Sequence, residues 1–246
     1  MSQAACFPKS QGGRCPALSS SIFRKWIVAV SGVLLVLFVI GHMLGNLTFY
    51  GGPDWINAYA EHLQSLGMFL WVIRLALLAI VATHITFTIL LWQENRRAKP
   101  SKYAVRAKLE TTLYARSMRL SGLTVLAFII FHIADLTWQG IHPETRGWVD
   151  PQGRHDVYRM MVFVFSSKLV SGFYIIAVGL LAMHLSHGIA SLFQTLGLTS
   201  LAMRPRYEFA ARVIGWVLFA GFASIPLSVL LGLKTCSAVP SCLFCH

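Results

Sequence analysis

The sequence predicts an all-α integral membrane protein, a bundle of five transmembrane helices. Of its 246 residues, 56% are apolar and only 12% are charged, whereas about a quarter of the residues of a soluble domain are charged. A mean hydropathy of +0.63 leaves too few polar residues to cover the surface of a soluble fold. Five apolar stretches reach the roughly 20 residues that cross a bilayer. They are 26–49, 68–93, 119–140, 162–194 and 211–233.

Each apolar stretch is predicted to form one helix. Inside lipid, a continuous helix satisfies every backbone N–H and C=O of a single crossing, and none of the stretches shows the alternation of a barrel strand. The first 25 residues are polar, and no small-residue cleavage site follows a short apolar core, so we expect an uncleaved segment. The sequence thus predicts an N-terminal segment (1–25), a transmembrane domain (26–233) and a short tail (234–246).

The distribution of basic residues predicts the orientation of this bundle. Alternate connections lie on opposite sides, and one side holds 15 of the 21 Lys and Arg residues but only three of the nine acidic residues. Since basic residues accumulate on the cytoplasmic side, we expect a cytoplasmic N-terminus and an outer C-terminus in a bacterial inner membrane. The net charge of +12 then follows from topology, and we expect anionic lipid rather than nucleic acid as a partner.

Four of the predicted helices carry histidines, which are costly to insert into lipid and therefore indicate function. His42 and His132 lie about two turns before the outer ends of the first and third helices. His84 and His184 each precede the inner ends of the second and fourth helices by ten residues. Two histidine pairs, at two depths and on four helices, are the arrangement that two bis-histidine haems require.

Several alternatives to this haem pairing remain open. His187 lies one turn after His184 on nearly the same helix face, and it is an alternative ligand or a neighbour that supports the ligand. Zinc is disfavoured because two histidines per level fill only half of a tetrahedral site. Histidines that hydrogen bond between helices without haem are a further alternative. In the outer connections, His62, His142 and His155 are expected to be solvated.

Four separated runs of the sequence resemble the cytochrome b membrane anchor of five-helix succinate dehydrogenases and fumarate reductases. The runs are SSSIFRKWIVAVSGVLLVLFVIGHMLGNLTFYGG, INAYAEHLQSLG, FHIADLT and HLSHGIASLFQTLGL. The resemblance covers about residues 19–233. It implies two haem b groups, with His42 and His132 as axial ligands of the outer haem and His84 and His184 as ligands of the inner one.

The resemblance also implies partners and a reaction. Such an anchor docks a flavoprotein and an iron–sulfur subunit on its cytoplasmic face and exchanges electrons with a quinone, usually menaquinone. Flavin and iron–sulfur clusters belong to those partner subunits, so this chain would be the electron-transfer and quinone-binding subunit of respiratory complex II, an enzyme of the tricarboxylic acid cycle. It would carry out no succinate chemistry itself, and a higher oligomer of the complex is compatible with this interpretation.

Charged residues near the membrane surfaces are candidates for two further roles. Glu61 and Asp135 are candidates for an outer quinone site, and the resemblance places the quinone carboxylate on Glu61. The alternative is that both carboxylates are simply solvated. Basic residues at both levels are candidate partners of haem propionates. They are Arg24, Lys25, Arg74, Arg119 and Lys168.

The chain ends in a C-x-x-C-H pattern formed by Cys242, Cys245 and His246. This pattern is typical of c-type haem attachment, and the predicted topology places it outside the membrane, where bacteria attach haem c. A disulfide between Cys236 and Cys242, or another metal site such as an iron–sulfur centre, is an alternative.

Two other functions are compatible with the sequence. In the first, the chain is a haem b anchor of another respiratory dehydrogenase, such as a hydrogenase or a formate dehydrogenase. In the second, it is a haem-free protein, with an iron–sulfur site or with a transport or purely structural role.

Overall fold

The computed structural model describes residues 20–97, 113–198, 200 and 202–235. Seven α-helices form within these residues, and the β-structure found there is one isolated bridge between Val149 and His155. The prediction of an all-α fold is therefore confirmed. The helices are α1 (Ser21–Leu47), α2 (Pro53–Ser65), α3 (Met68–Arg97), α4 (Leu113–His132), α5 (Val157–Ser166), α6 (Lys168–Thr195) and α7 (Arg204–Leu230).

Five helical segments are long and apolar enough to cross a membrane, which confirms the predicted number of spans. A 3-10 turn extends α1 to Gly51, and a π turn at Ile133–Thr137 extends α4. The fifth span starts at Arg204 rather than at residue 211. The segments are Ser21–Gly51, Met68–Arg97, Ser117–Thr137, Lys168–Thr195 and Arg204–Leu230.

The predicted span 162–194 is wrong at its start, because the structure divides it at Ser167. Ser167 has an extended backbone (φ −73°, ψ 117°), and its side chain accepts a hydrogen bond from the Val170 N–H. The Ser171 hydroxyl donates to the Phe165 carbonyl oxygen over 2.6 Å, which satisfies a carbonyl near the break. The ten-residue α5 is too short to cross a bilayer. Both sides of the break are apolar, so hydropathy alone does not detect it.

Two contacts show that α3 runs opposite to α1 and that α7 runs in the same direction as α1. At one end, Arg24 at the start of α1 pairs with Glu94 near the end of α3. At the other end, the Lys234 ammonium after α7 donates to the Tyr50 carbonyl oxygen over 3.1 Å. We call the first end the basic end, because it gathers most of the described basic residues. These are Arg24, Lys25, Arg96, Arg97, Arg116, Arg119, Arg204, Arg206 and Arg212.

The opposite end, which we call the capped end, comprises residues 48–66 and 138–166. Asn57 on α2 is fully buried there, and its amide N–H groups donate to Asp150 and Asp156 over 3.2 Å each. Its carbonyl oxygen accepts from the Tyr158 N–H over 3.0 Å. Arg154 donates to Asp150 over 2.7 Å. This network ties α2, the 138–156 connection and the start of α5 into one cap.

The charge network of the cap predicts a pH-dependent stability. Burial alone would raise the pKa of Asp150, but hydrogen bonds from the Arg154 backbone and side chain and from Asn57 outweigh it and lower the pKa below 3.8. Asp150 therefore stabilises the fold above about pH 4, and this contribution is lost as the pH falls through its lowered pKa. We expect Asp150→Asn to reduce the free energy of unfolding at pH 7 by about 1 to 3 kcal/mol.

Thermal unfolding in detergent between pH 7 and pH 3 tests this prediction. The difference between the wild type and Asp150→Asn should be largest at neutral pH and should shrink in acid. Asp54→Asn is the matched control, because Asp54 also pairs with Arg154 but its side chain is 78% exposed, so its expected effect is small. A difference that is independent of pH would contradict the assigned role of the Asp150 charge.

The long helices pack unevenly. α3 packs closely against α1, α4 packs closely against α6, and α7 lies against α6 and α1. The backbones of α1 and α4, and those of α3 and α6, do not pack closely, and no residue of α3 is buried. The described bundle thus contains an α1–α3 pair and an α4–α6 pair, which are joined by contacts of α1 with α6 and of α7 with both pairs.

Candidate functional site

An internal repeat relates α1 to α4. Residues 31–42 and 121–132 are identical at five of twelve positions. The shared residues are Ser and Gly at the first two positions, Phe at the eighth, Ile at the tenth and His at the last. Neither hydropathy nor the depth of the histidines reveals this repeat. It predicts that the two helix pairs place equivalent side chains on facing sides of the bundle.

The last residues of this repeat, His42 and His132, meet between α1 and α4. Their ring centroids lie 5.7 Å apart, with the ring planes at 80°. Two imidazoles on opposite sides of one metal have centroids roughly 6 Å apart, given metal–nitrogen bonds of about 2 Å. The repeat's phenylalanines pack on the same rings, Phe38 at 5.5 Å from His42 and Phe128 at 5.7 Å from His132. This pair lies toward the capped end.

The first residues of the repeat hold the other two histidines. The Ser31 hydroxyl lies 3.1 Å from Nδ1 of His84, and the Ser121 hydroxyl lies 3.4 Å from Nδ1 of His184. An imidazole whose Nδ1 is hydrogen-bonded presents Nε2 to a metal. Serines of one helix therefore orient histidines of its paired helix, in both halves of the bundle.

The glycines of the repeat bring these histidines close to the backbone. A Cβ atom at Gly32 would lie 3.4 Å from Cε1 of His84, and one at Gly122 would lie 3.4 Å from Cε1 of His184. His184 is also within electrostatic range of His84. The repeat thus places His84 against Ser31 and Gly32, and His184 against Ser121 and Gly122, so both rings lie at the same level toward the basic end.

The two levels fit the requirements of bis-histidine haem. Each level offers two imidazoles from different helices, which is the axial ligand set of such a haem. Across the levels, the backbones of α1 and α4, and those of α3 and α6, are not closely packed. Within the described residues, no three His, Cys, Asp or Glu side chains converge. The donor set is therefore paired imidazole, which suits haem better than tetrahedral zinc.

The structure separates His184 from His187. His184 faces Ser121 and the His84 level. Nε2 of His187 instead lies 3.2 Å from the Ser191 hydroxyl, and the ring is within electrostatic range of Glu208 on α7. The geometry favours His184 as the ligand and leaves His187 on the side toward α7.

Asp135 lies in the π turn after His132 and is fully buried, so the solvated interpretation of this residue is wrong. Its carboxylate accepts hydrogen bonds from Nδ1 of His142 over 2.7 Å and from the Tyr174 hydroxyl over 3.0 Å. The Tyr174 oxygen lies 3.5 Å from Nδ1 of His132. The expectation of a solvated His142 is met only in part, because the side chain is 20% exposed but its Nδ1 is bonded to the Asp135 carboxylate.

The other connection histidines differ from each other. His62 is exposed, as the sequence predicted. His155 is not, because its Nε2 lies 2.8 Å from the Gln139 amide and its Nδ1 lies 3.1 Å from the Trp148 carbonyl oxygen. Both atoms thus have partners inside the cap.

The remaining predicted site residues are not gathered at the histidine levels. Arg24 pairs with Glu94, and the Arg74 guanidinium lies 5.0 Å above the Trp71 ring. The others are exposed at the surface, where the structure shows no contact with the histidines. These exposed residues are Lys25, Glu61, Arg119 and Lys168. Cys242, Cys245 and His246 lie outside the described residues.

Comparison with protein-family models, with curated proteins and with solved structures gave no match for this chain. The fold and the site define the class of protein. It is a multi-pass membrane bundle with histidines at two levels. The geometry of these levels is therefore the basis on which a function is proposed.

Proposed function

We propose that this chain is the haem b membrane-anchor subunit of a succinate:quinone oxidoreductase. His42 and His132 would hold one haem toward the capped end, and His84 and His184 would hold the other toward the basic end. When bound, each haem supplies a one-electron carrier inside the membrane. The observation that carries the proposal is the repeated setting of the four histidines: His42 and His132 meet between α1 and α4, and His84 and His184 each lie against a serine of the repeat.

The chain's own residues supply position and environment. Ser31 and Ser121 fix the orientation of the His84 and His184 rings at one level, and Phe38 and Phe128 pack on the rings at the other. The four histidines lie on four of the five helices that are long and apolar enough to cross a membrane. Such burial and hydrogen bonding are the means by which a protein adjusts haem potentials.

The charge distribution supports an orientation for the proposed complex. The basic end would face the cytoplasm, as the accumulation of Lys and Arg predicts, and would bind the flavoprotein and iron–sulfur subunits. The capped end would then face outward and serve the quinone, for which menaquinone is the expected type. Succinate itself would be oxidised in the flavoprotein.

Reduction by substrate tests the proposed complex. In membranes that contain the chain and its co-purifying subunits, succinate should reduce the haem b, and the purified complex should contain covalently bound flavin. Reduction by formate or hydrogen without any response to succinate would indicate the anchor of another dehydrogenase. The histidine levels are common to both functions, so the identity of the docked subunits decides between them.

The serine contacts give a prediction about the basic-end haem alone. Removing such a hydrogen-bonding neighbour of a metal-bound histidine typically weakens binding by about 10- to 100-fold. We therefore expect Ser31→Ala and Ser121→Ala to weaken the haem held by His84 and His184 and to shift its potential, while the other haem is unchanged. Ser31→Thr, which keeps the hydroxyl, should restore the wild-type behaviour.

Potentiometric titration of the purified variants, followed optically, measures this selectivity. Ser224→Ala is the matched control, because the Ser224 hydroxyl donates within its own helix to the Gly221 carbonyl oxygen over 2.8 Å. Equal changes in both haems, or none in either, would show that the serines do not position the histidines.

A further inference from the structure

The carboxylate of Asp135 belongs to neither histidine level and to neither end network. It is fully buried and is held by hydrogen bonds from His142 (2.7 Å) and Tyr174 (3.0 Å). Burying a carboxylate is costly unless it is paired and hydrogen-bonded, so a residue kept in this state calls for a role.

The local backbone explains how Asp135 comes to point inward. In the π turn, the Trp138 N–H donates to the Ile133 carbonyl oxygen and the Gly140 N–H donates to the Ala134 carbonyl oxygen, each over 2.8 Å. One-turn π segments inside helices occur frequently at functional sites. Here the wide turn follows His132 directly and turns the carboxylate into the bundle.

The hydrogen-bonded groups around Asp135 form a continuous path. His142 lies at the surface of the capped end, 20% exposed and edge-on to Phe163 at 5.8 Å between ring centroids. From there the contacts run to Asp135 over 2.7 Å and to Tyr174 over 3.0 Å, and the Tyr174 oxygen lies 3.5 Å from His132. The path therefore connects the aqueous edge of the cap to a candidate haem ligand.

The basic partner of the Asp135 carboxylate is a histidine. Among the described residues, the basic side chain that lies within 4 Å of the Asp135 carboxylate is His142, and no Lys or Arg there pairs with it. Arg146, the nearest guanidinium along the connection, donates to the Trp138 carbonyl oxygen instead. The groups that face the pair are Tyr174 from α6 and, beyond it, His132 from α4. A histidine partner can release its proton, whereas the guanidinium of an arginine stays protonated.

We propose that Asp135 and His142 form a proton-exchange site that takes up one proton from the aqueous phase for each electron that reaches the capped-end haem. The inference rests on the proposed function, because the electron arrives from the iron–sulfur partner and leaves to a quinone. The proton binds to the carboxylate–imidazole pair as a new O–H or N–H bond and returns to water when the electron leaves. An added negative charge in a low-dielectric interior is stabilised by a positive charge gained nearby.

The test is the midpoint potential of each haem as a function of pH, measured on the purified holoprotein between pH 5.5 and pH 8.5. For the wild type, the capped-end potential should fall by about 59 mV per pH unit across the range in which the pair exchanges its proton. Asp135→Asn and His142→Gln should each flatten this dependence and leave that of the basic-end haem unchanged. His155→Gln is the control, because His155 is bonded within the cap to Gln139 and Trp148.

The possible results distinguish failure of the proton-exchange site from failure of the proposed haem-binding function. Absence of haem from the wild-type protein overturns the proposed function and the proton site together. Two haems with a capped-end slope that is the same in the wild type and both variants overturn the proton site only, and would leave Asp135 as a structural lock of the π turn. If Asp135→Asn fails to fold, the surface variant His142→Gln decides the result.

Discussion

Replacing His42 or His132 by Ala is expected to remove one of two haems from the purified protein, and to remove the same one in both variants. The reason is that these rings lie 5.7 Å apart between α1 and α4 and form one level. His84→Ala and His184→Ala should remove the other haem, because these residues form the level toward the basic end. Haem content per chain, together with the optical and paramagnetic spectra of the haem that remains, measures which level is lost.

The controls for this prediction lie on the same chain. His187→Ala should keep both haems, since this ring contacts Ser191 and faces α7 rather than the His84 level. His62→Ala should also keep both, because His62 is exposed on α2. Loss of the basic-end haem in His187→Ala but not in His184→Ala would make His187 the ligand. Loss of different haems in His42→Ala and His132→Ala would contradict the pairing.

The glycines of the repeat give the second large effect. At Gly32 and Gly122 a Cβ atom would already lie 3.4 Å from the imidazoles of His84 and His184. A leucine adds three further carbon atoms there, so Gly32→Leu and Gly122→Leu should displace the rings and abolish the basic-end haem. The capped-end haem should persist, because its histidines stand at the other end of the repeat.

Gly41→Leu is the matched control on α1, since nothing lies within 4 Å of a Cβ atom at that position. It adjoins His42 in sequence but is exposed on the helix surface. Haem content and thermal stability of the three variants separate a local effect from misfolding. Retention of both haems in Gly32→Leu and Gly122→Leu would show that the rings do not need this close approach to the backbone.

The spans and the histidine levels are the features of the molecule that follow from the sequence. Crossing a bilayer requires about 20 apolar residues in one helix, so the spans are visible in composition alone. The rise of 1.5 Å per residue converts sequence distance into depth. By that argument His42 pairs with His132, and the two rings are neighbours in the structure.

The break at Ser167 and the burial of Asp135 were not predictable in the same way. A serine within an apolar run changes the mean hydropathy little. Ser167 nevertheless caps the N-terminus of α6, and the spanning helix begins at the next residue. Asp135 was expected at the membrane surface because it is charged and close to a helix end. The π turn reverses this expectation, since it supplies inward-facing partners that come from α6 and from the following connection.

The roles of Ser31 and Ser121 could be read from the sequence only in part. Their spacing to His42 and His132 is the same in both halves. Their contacts, however, are with His84 and His184, which lie on other helices. Spacing along one helix reveals the repeat, whereas the partner across the helix pair requires the packing of the bundle.

The most direct test of the central claim is a reduced-minus-oxidised spectrum of the purified chain, combined with haem extraction and a count of haem per polypeptide. The proposed histidine pairing predicts two extractable b haems per chain. A third haem that stays on the polypeptide after extraction would establish the C-terminal site of Cys242, Cys245 and His246. A folded protein without any porphyrin would contradict the pairing and would leave the histidines with a structural or iron–sulfur role.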